Sequence, residues 1–136
     1  MRISPIVAAL TLAAAPAFAE SHAMAMVEAM DQPVANGVVS ADKVVAGANG
    51  WLVVHRTDAE MAPGPVVGHA PLRMGDNIDV AAILTEEVMP GDMLMLMVHS
   101  EDGGMQTGIF EYTLGAKEDG PVRVDGELVM ATITAQ

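Results

Sequence analysis

The chain has 136 residues, 18 acidic against 6 basic side chains, a formal net charge of −12, four histidines, twelve methionines and no cysteine. That charge disfavours nucleic-acid phosphates and anionic lipid surfaces, and the missing thiols exclude disulfides, thiol redox chemistry and thiolate metal sites, the blue-copper type included. The length suits one domain that buries roughly two-thirds of its unfolded surface and needs no staple.

Met1-Arg2-Ile3-Ser4, the apolar run from Pro5 to Ala15 and the small-residue end Ala17-Phe18-Ala19 have the order of an export signal. The apolar run is too short to span a bilayer, so residues 1–19 are expected to be cleaved before Glu20 and the product to be periplasmic or secreted, without membrane insertion. Removing nineteen of 136 residues leaves 117, and losing Arg2 with them takes the charge from −12 to −13. From Glu20 to Ala35 the chain carries His22, Met24, Met26 and Met30 without a sustained period, and Pro33 closes the stretch. Residues 20–37 therefore read as a loosely ordered leader holding one helical turn or an edge strand, and residues 38–136 as the folded domain.

From Val38 the chain changes to short β-branched runs punctuated by Gly, Pro, Asp and Asn, the pattern of an antiparallel all-β domain. The runs are Val38 to Val45, Trp51 to Arg56, Val66 to Leu72, Ile78 to Leu84, Met93 to His99, Ile109 to Leu114, Val122 to Val124 and Leu128 to Thr134. Asn49-Gly50 and Asp125-Gly126 supply the positive φ of tight hairpins, the second being the stronger signal, whereas Pro63-Gly64-Pro65 and Pro90-Gly91-Asp92 mark connections. Alternation puts Leu94, Leu96 and Val98 on one face and Met93, Met95, Met97 and His99 on the other. Both faces are apolar, so this run and Trp51 to Arg56 are expected to be central strands covered on both sides. Only Trp51, Phe110 and Tyr112 remain as aromatics after Ala19, and the methionines are expected to supply the missing core volume.

Gly50-Trp51-Leu52-Val53-Val54-His55, Gly64-Pro65-Val66-Val67-Gly68, Met97-Val98-His99 and the block from Asp119 to Gly126 recur in an order that resembles an exported domain family of unknown function found in haloarchaea and bacteria. The resemblance covers Val38 to Thr134. It implies an immunoglobulin-like or cupredoxin-like β-sandwich of about 7–8 strands, tends to carry histidines such as His55 and His99 at the ends of core strands, and implies no known reaction.

Imidazole with thioether sulfur and no thiolate is a ligand set for copper rather than for calcium or magnesium. Two places offer it. Met97 and His99 share a strand face that His55 could approach from a neighbouring or an opposing sheet, and His22, Met24 and Met26 form an auxiliary set in the leader. The plain alternative is that the histidines are satisfied groups half-buried at the rim, the methionines packing filler, and the leader a simple tail. Ser100 and His99 point to opposite faces of one strand and so make no nucleophile–base pair. Glu86-Glu87 and Glu118-Asp119 read as solvated acidic turns, Asp102-Gly103-Gly104 lacks the spaced carboxylates of a calcium loop, and no phosphate-cradling or hydrolase motif is present. The chain thus reads as a non-enzymatic β-sandwich module of the periplasm or envelope, needing no cofactor, with an unknown protein or small ligand as partner. The alternative is a periplasmic copper-binding protein.

Overall fold

The computed structural model describes residues 24–136; the export signal expected at residues 1–19 and His22 lie outside them. No helix occurs among the described residues. Their strands are β1 (Met26–Glu28), β2 (Val38–Ala46), β3 (Gly50–Thr57), β4 (Val66–Leu72), β5 (Gly75–Leu84), β6 (Met93–Ser100), β7 (Arg123–Val124), β8 (Glu127–Leu128) and β9 (Met130–Thr134). The fold is all-β and antiparallel, as the alternation predicts, and β2 to β6 match their apolar runs to within three residues at either end.

Seven strands form one sheet in the order β1-β2-β5-β4-β3-β6-β9, and β7 and β8 form a separate hairpin. The large sheet rolls until its edges nearly meet. Beyond β1 the chain runs beside the end of β9, where the Gln136 N–H donates to the Gln32 carbonyl at 2.9 Å and the Thr134 N–H to Asp31 Oδ1 at 2.8 Å. The two layers of the expected sandwich are therefore opposite walls of one curled sheet, an arrangement that leaves little open edge for another chain to extend. The stretch read as a leader contributes, from Met24 onward, the edge strand β1 and the buried Val34.

Two turns show what local sequence can and cannot specify. Asp125 and Gly126 adopt φ of 51° and 82° and close the β7–β8 hairpin, the geometry that Asp-Gly favours. Asn49-Gly50 makes no hairpin, because β2 lies between β1 and β5 while β3 lies between β4 and β6. Gly50 has another use: a Cβ there would run into the carbonyl oxygen of His99 on the adjoining strand. The run Ile109 to Leu114 also forms no strand. Both sides of β6 are already taken by β3 and β9, so no nearby edge can accept it, and the segment lies across the outside of the sheet instead.

Inside the roll the core is wholly aliphatic, with Val39, Val44, Leu52, Val54, Leu94, Leu96, Val98 and Ile133 among its members. Each such side chain contributes roughly 1.5–3 kcal/mol by leaving water. Alternation along β3 and β6 sends Trp51, Val53, His55, Met95, Met97 and His99 to the outer face, and these too are buried. Both strands are covered on two sides, as their sequences suggest: by the roll within, and by residues 101–121 without.

Candidate functional site

The outer face of β3 and β6 is built from three cross-strand pairs, Trp51 with His99, Val53 with Met97 and His55 with Met95. Neighbours across a pair share a face, so the two histidines reach toward each other over the central Val53–Met97 pair. Both are fully buried. Residues 101–121 form a flap over them. Tyr112 packs edge-on to His99 at 4.6 Å and to His55 at 5.8 Å between ring centroids, and Phe110 stacks on His69 at 4.4 Å while meeting Trp51 at 5.6 Å.

The ring nitrogens fix the chemistry of the pair. His55 Nδ1 lies 2.8 Å from the Gly64 carbonyl oxygen and His99 Nδ1 lies 2.6 Å from that of Asp119. A carbonyl only accepts, so each Nδ1 carries the hydrogen and donates it. Each neutral ring then presents a bare Nε2, and the two Nε2 atoms face each other at 3.2 Å. Two lone pairs do not bond; a proton or a metal cation between them would. Burial drives His55 below its ordinary pKa, against the opposing Gly64 hydrogen bond, and drives His99 down to about 4, against the Asp119 hydrogen bond. The pair therefore holds an added proton poorly at neutral pH.

The flap is held by carboxylates that accept backbone N–H groups an irregular segment would otherwise leave unpaired. Asp119, buried and at φ 46°, takes the Asp102 N–H on Oδ1 at 3.0 Å and the Glu111 N–H on Oδ2 at 2.8 Å, while its own carbonyl clamps His99. Glu111 accepts from the Met105 N–H at 3.0 Å. Glu101 accepts from the Trp51 indole at 2.8 Å and from the Gly108 N–H at 3.2 Å. On the other side, Gly64 approaches β3 so closely that a Cβ would meet the Arg56 carbonyl at 2.7 Å, which keeps its own carbonyl within reach of His55.

The structure thus brings His55 and His99 together from neighbouring strands of one sheet, fully buried where a half-buried rim position was expected. Met97 lies buried on the same face between them. Met24 and Met26, the auxiliary candidates, are exposed at the barrel edge, and His22 is outside the described residues. Among the described residues no three His, Cys, Asp or Glu side chains converge as a metal cluster, so any further ligand to the pair must be of another kind. Sequence reasoning missed Met95, the cross-strand partner of His55, and missed Gly64, Tyr112 and Asp119, which orient or cover the rings. Asp119 corrects a specific expectation: half of an acidic turn read as solvated is a buried tie. The methionines correct another. Met95 and Met97 fill space as expected, but seven of the eleven described methionines lie on the surface.

Comparison with curated proteins and with solved structures returns no match. Residues 25–136, the strands and the flap together, match one family, described as a domain of unknown function, DUF7282. The chain, with its histidine pair under a carboxylate-tied flap, belongs to the DUF7282 family.

Proposed function

We propose that this chain is a non-enzymatic, exported module of the cell envelope whose binding chemistry resides in the histidine pair, and that its ligand is copper in the Cu(I) state. The observation that carries the reading is the 3.2 Å separation of two Nε2 atoms whose partner nitrogens are both committed as donors. Two metal–nitrogen bonds of about 2.0–2.1 Å to one ion would meet at about 100°, close to a tetrahedral edge. Hydrogen bonds from Nδ1 to carbonyl oxygens are also the usual outer support of a metal-bound imidazole, fixing its tautomer and raising its basicity.

The ligands at hand select the ion. Zinc sites close with four nitrogen, oxygen or thiolate donors, and beside this pair the remaining soft donors are the thioethers of Met95 and Met97 on the same face. Imidazole with thioether in a dry, aromatic-lined layer favours Cu(I), which needs few ligands and no anionic one. Export to an oxidising compartment, the reading of residues 1–19, would bring the chain to where such an ion is handled.

The test is elemental analysis of protein isolated from its own cells without chelator, followed by melting curves with Cu(I) and Zn(II). At hundredfold excess over Kd, Cu(I) is expected to add about 3 kcal/mol of stability. Identical curves with copper for the wild type and for His55→Ala/His99→Ala would sink the copper reading. They would leave a module recognising a protein or a small ligand.

A further inference from the structure

Eleven large apolar side chains stand more than a third exposed among the described residues, and seven of them are methionines: Met24, Met26, Met30, Met61, Met74, Met89 and Met105. Methionine is ordinarily among the more buried residue types, so this distribution is inverted. The seven lie in five separate stretches of the chain. Met24, Met26 and Met30 lie in and around β1, Met61 in the β3–β4 link, Met74 between β4 and β5, Met89 between β5 and β6, and Met105 in the flap, the last 96% exposed. The two fully buried methionines, Met95 and Met97, are the ones beside the histidine pair.

We propose that the exposed methionines are a sacrificial coat that consumes two-electron oxidants of the hypohalous acid class before they reach the buried layer. The chemistry balances without any further reactant. A thioether and hypochlorous acid give a sulfoxide, a proton and chloride: sulfur loses two electrons and gains the oxygen, and chlorine gains the two electrons. With no cysteine in the chain, no faster thiol competes. The product is tolerated where these residues sit, because the new sulfoxide oxygen points into water, whereas the same change at Met95 or Met97 would put a polar group into close-packed surroundings. Sulfoxide is returned to thioether by a thiol-dependent reductase, which takes up two electrons and two protons and releases water, so accessible sites can be used repeatedly. This inference stands independently of the copper reading.

The experiment titrates the folded chain with hypochlorous acid and reads each methionine by peptide mass spectrometry alongside the melting temperature. The seven exposed residues are expected to be converted over about the first seven equivalents with Met95 and Met97 intact and the melting temperature moved by less than about 3 °C, then to be restored by a methionine sulfoxide reductase. Oxidation of Met95 or Met97 in step with Met105, or loss of the fold within the first two or three equivalents, would overturn the proposal. A protection assay asks for function: an oxidant-sensitive reporter enzyme mixed with the chain should survive longer than with the variant Met61→Leu/Met74→Leu/Met89→Leu/Met105→Leu, whose capacity should drop by about half. Wild-type protein oxidised beforehand serves as a second comparator that needs no refolding. Equal reporter survival with fresh and pre-oxidised chain would equally overturn it.

Discussion

The inner and outer faces of β3 and β6 are built from the same sixteen-residue pair of strands, yet they are held by different physics. Inward, Leu52, Val54, Leu94, Leu96 and Val98 meet other strands of the roll and no polar group enters. Outward, Trp51, His55, Met95, Met97 and His99 lie under a segment without regular structure, which packs Phe110 and Tyr112 on the rings and is tied by hydrogen bonds to carboxylates and carbonyls. The first face needs only volume and apolarity. The second needs particular atoms at particular places. The inner face is the scaffold, and the outer face carries the bare ring nitrogens on which the proposed binding rests.

The sharpest way to separate them is to injure each and ask what else fails. Leu96→Ala empties volume at the centre of the inner face and is expected to cost about 2–5 kcal/mol, lowering urea midpoint and flap protection together because the whole roll loosens. Hydrogen exchange on that variant should show β3, β6 and residues 101–121 weakening in parallel. If the flap alone lost protection, the two faces would not stand in the order of dependence argued here.

Acid reaches the outer face selectively. In the metal-free protein burial holds His55 below its ordinary pKa and His99 down at about 4, so on falling from pH 6.5 the unfolded chain takes up protons that the fold refuses. Their contribution is intact above pH 6.5 and is lost progressively as pH falls to about 4, His99 alone accounting for roughly 3 kcal/mol. Urea midpoints measured at steps between pH 7 and pH 5, above the range in which most carboxylates titrate, should decline in the wild type and decline less steeply in His99→Gln, where His55 and His69, both lowered by burial, still contribute. A wild type no steeper than the variant would mean that the pair already shares a proton at neutral pH, and the bare lone pairs that favour a metal would be absent.

How much of this was legible follows the same division. The inner face announced itself, since alternation in Trp51 to Arg56 and Met93 to His99 is a local property and sheet burial follows from it. That His55 and His99 share a layer also follows from alternation, but their meeting depends on β3 lying next to β6 in the register that sets Val53 opposite Met97. Pairing is non-local, and one strand's sequence does not carry it. The run Ile109 to Leu114 looks like a strand in sequence because alternation signals an extended chain but not whether an edge is free to receive it. Asp119 looks solvated in sequence for a related reason: its worth lies in the Asp102 and Glu111 N–H groups it satisfies, which are seventeen and eight residues away. Composition alone points the methionines inward, because it records the residue type and not its location.

Asp119 is also the place to cut the outer layer free without touching the scaffold. Asp119→Ala leaves the Asp102 and Glu111 N–H groups without their acceptor and forces alanine into a left-handed φ, for an expected loss of about 2 kcal/mol confined to the flap. Exchange protection across residues 101–121 should collapse while β2 and β5 stay as protected as in the wild type. Metal would then reach the histidine pair faster, so Cu(I) uptake by the variant should be quicker. Uptake at an unchanged rate would remove the flap as the barrier over the rings.

The smallest effect expected isolates the last tie, Glu101 to Trp51. Glu101 accepts from the indole on Oε2 and from the Gly108 N–H on Oε1, and Glu101→Gln keeps a single carbonyl oxygen, so it removes the negative charge and one of these two bonds for an expected loss of about 1 kcal/mol. Trp51 is the sole tryptophan, and its emission therefore reports this one contact without interference. A charge next to the indole nitrogen shifts the emission maximum, and taking it away should move the spectrum while melting and exchange change little. A loss well beyond that of one hydrogen bond would mean that the flap is held at Glu101 by charge as well as by the hydrogen-bond geometry it shares with Asp119, and the outer layer would have to be regarded as electrostatically clamped at one end and hydrogen-bonded at the other.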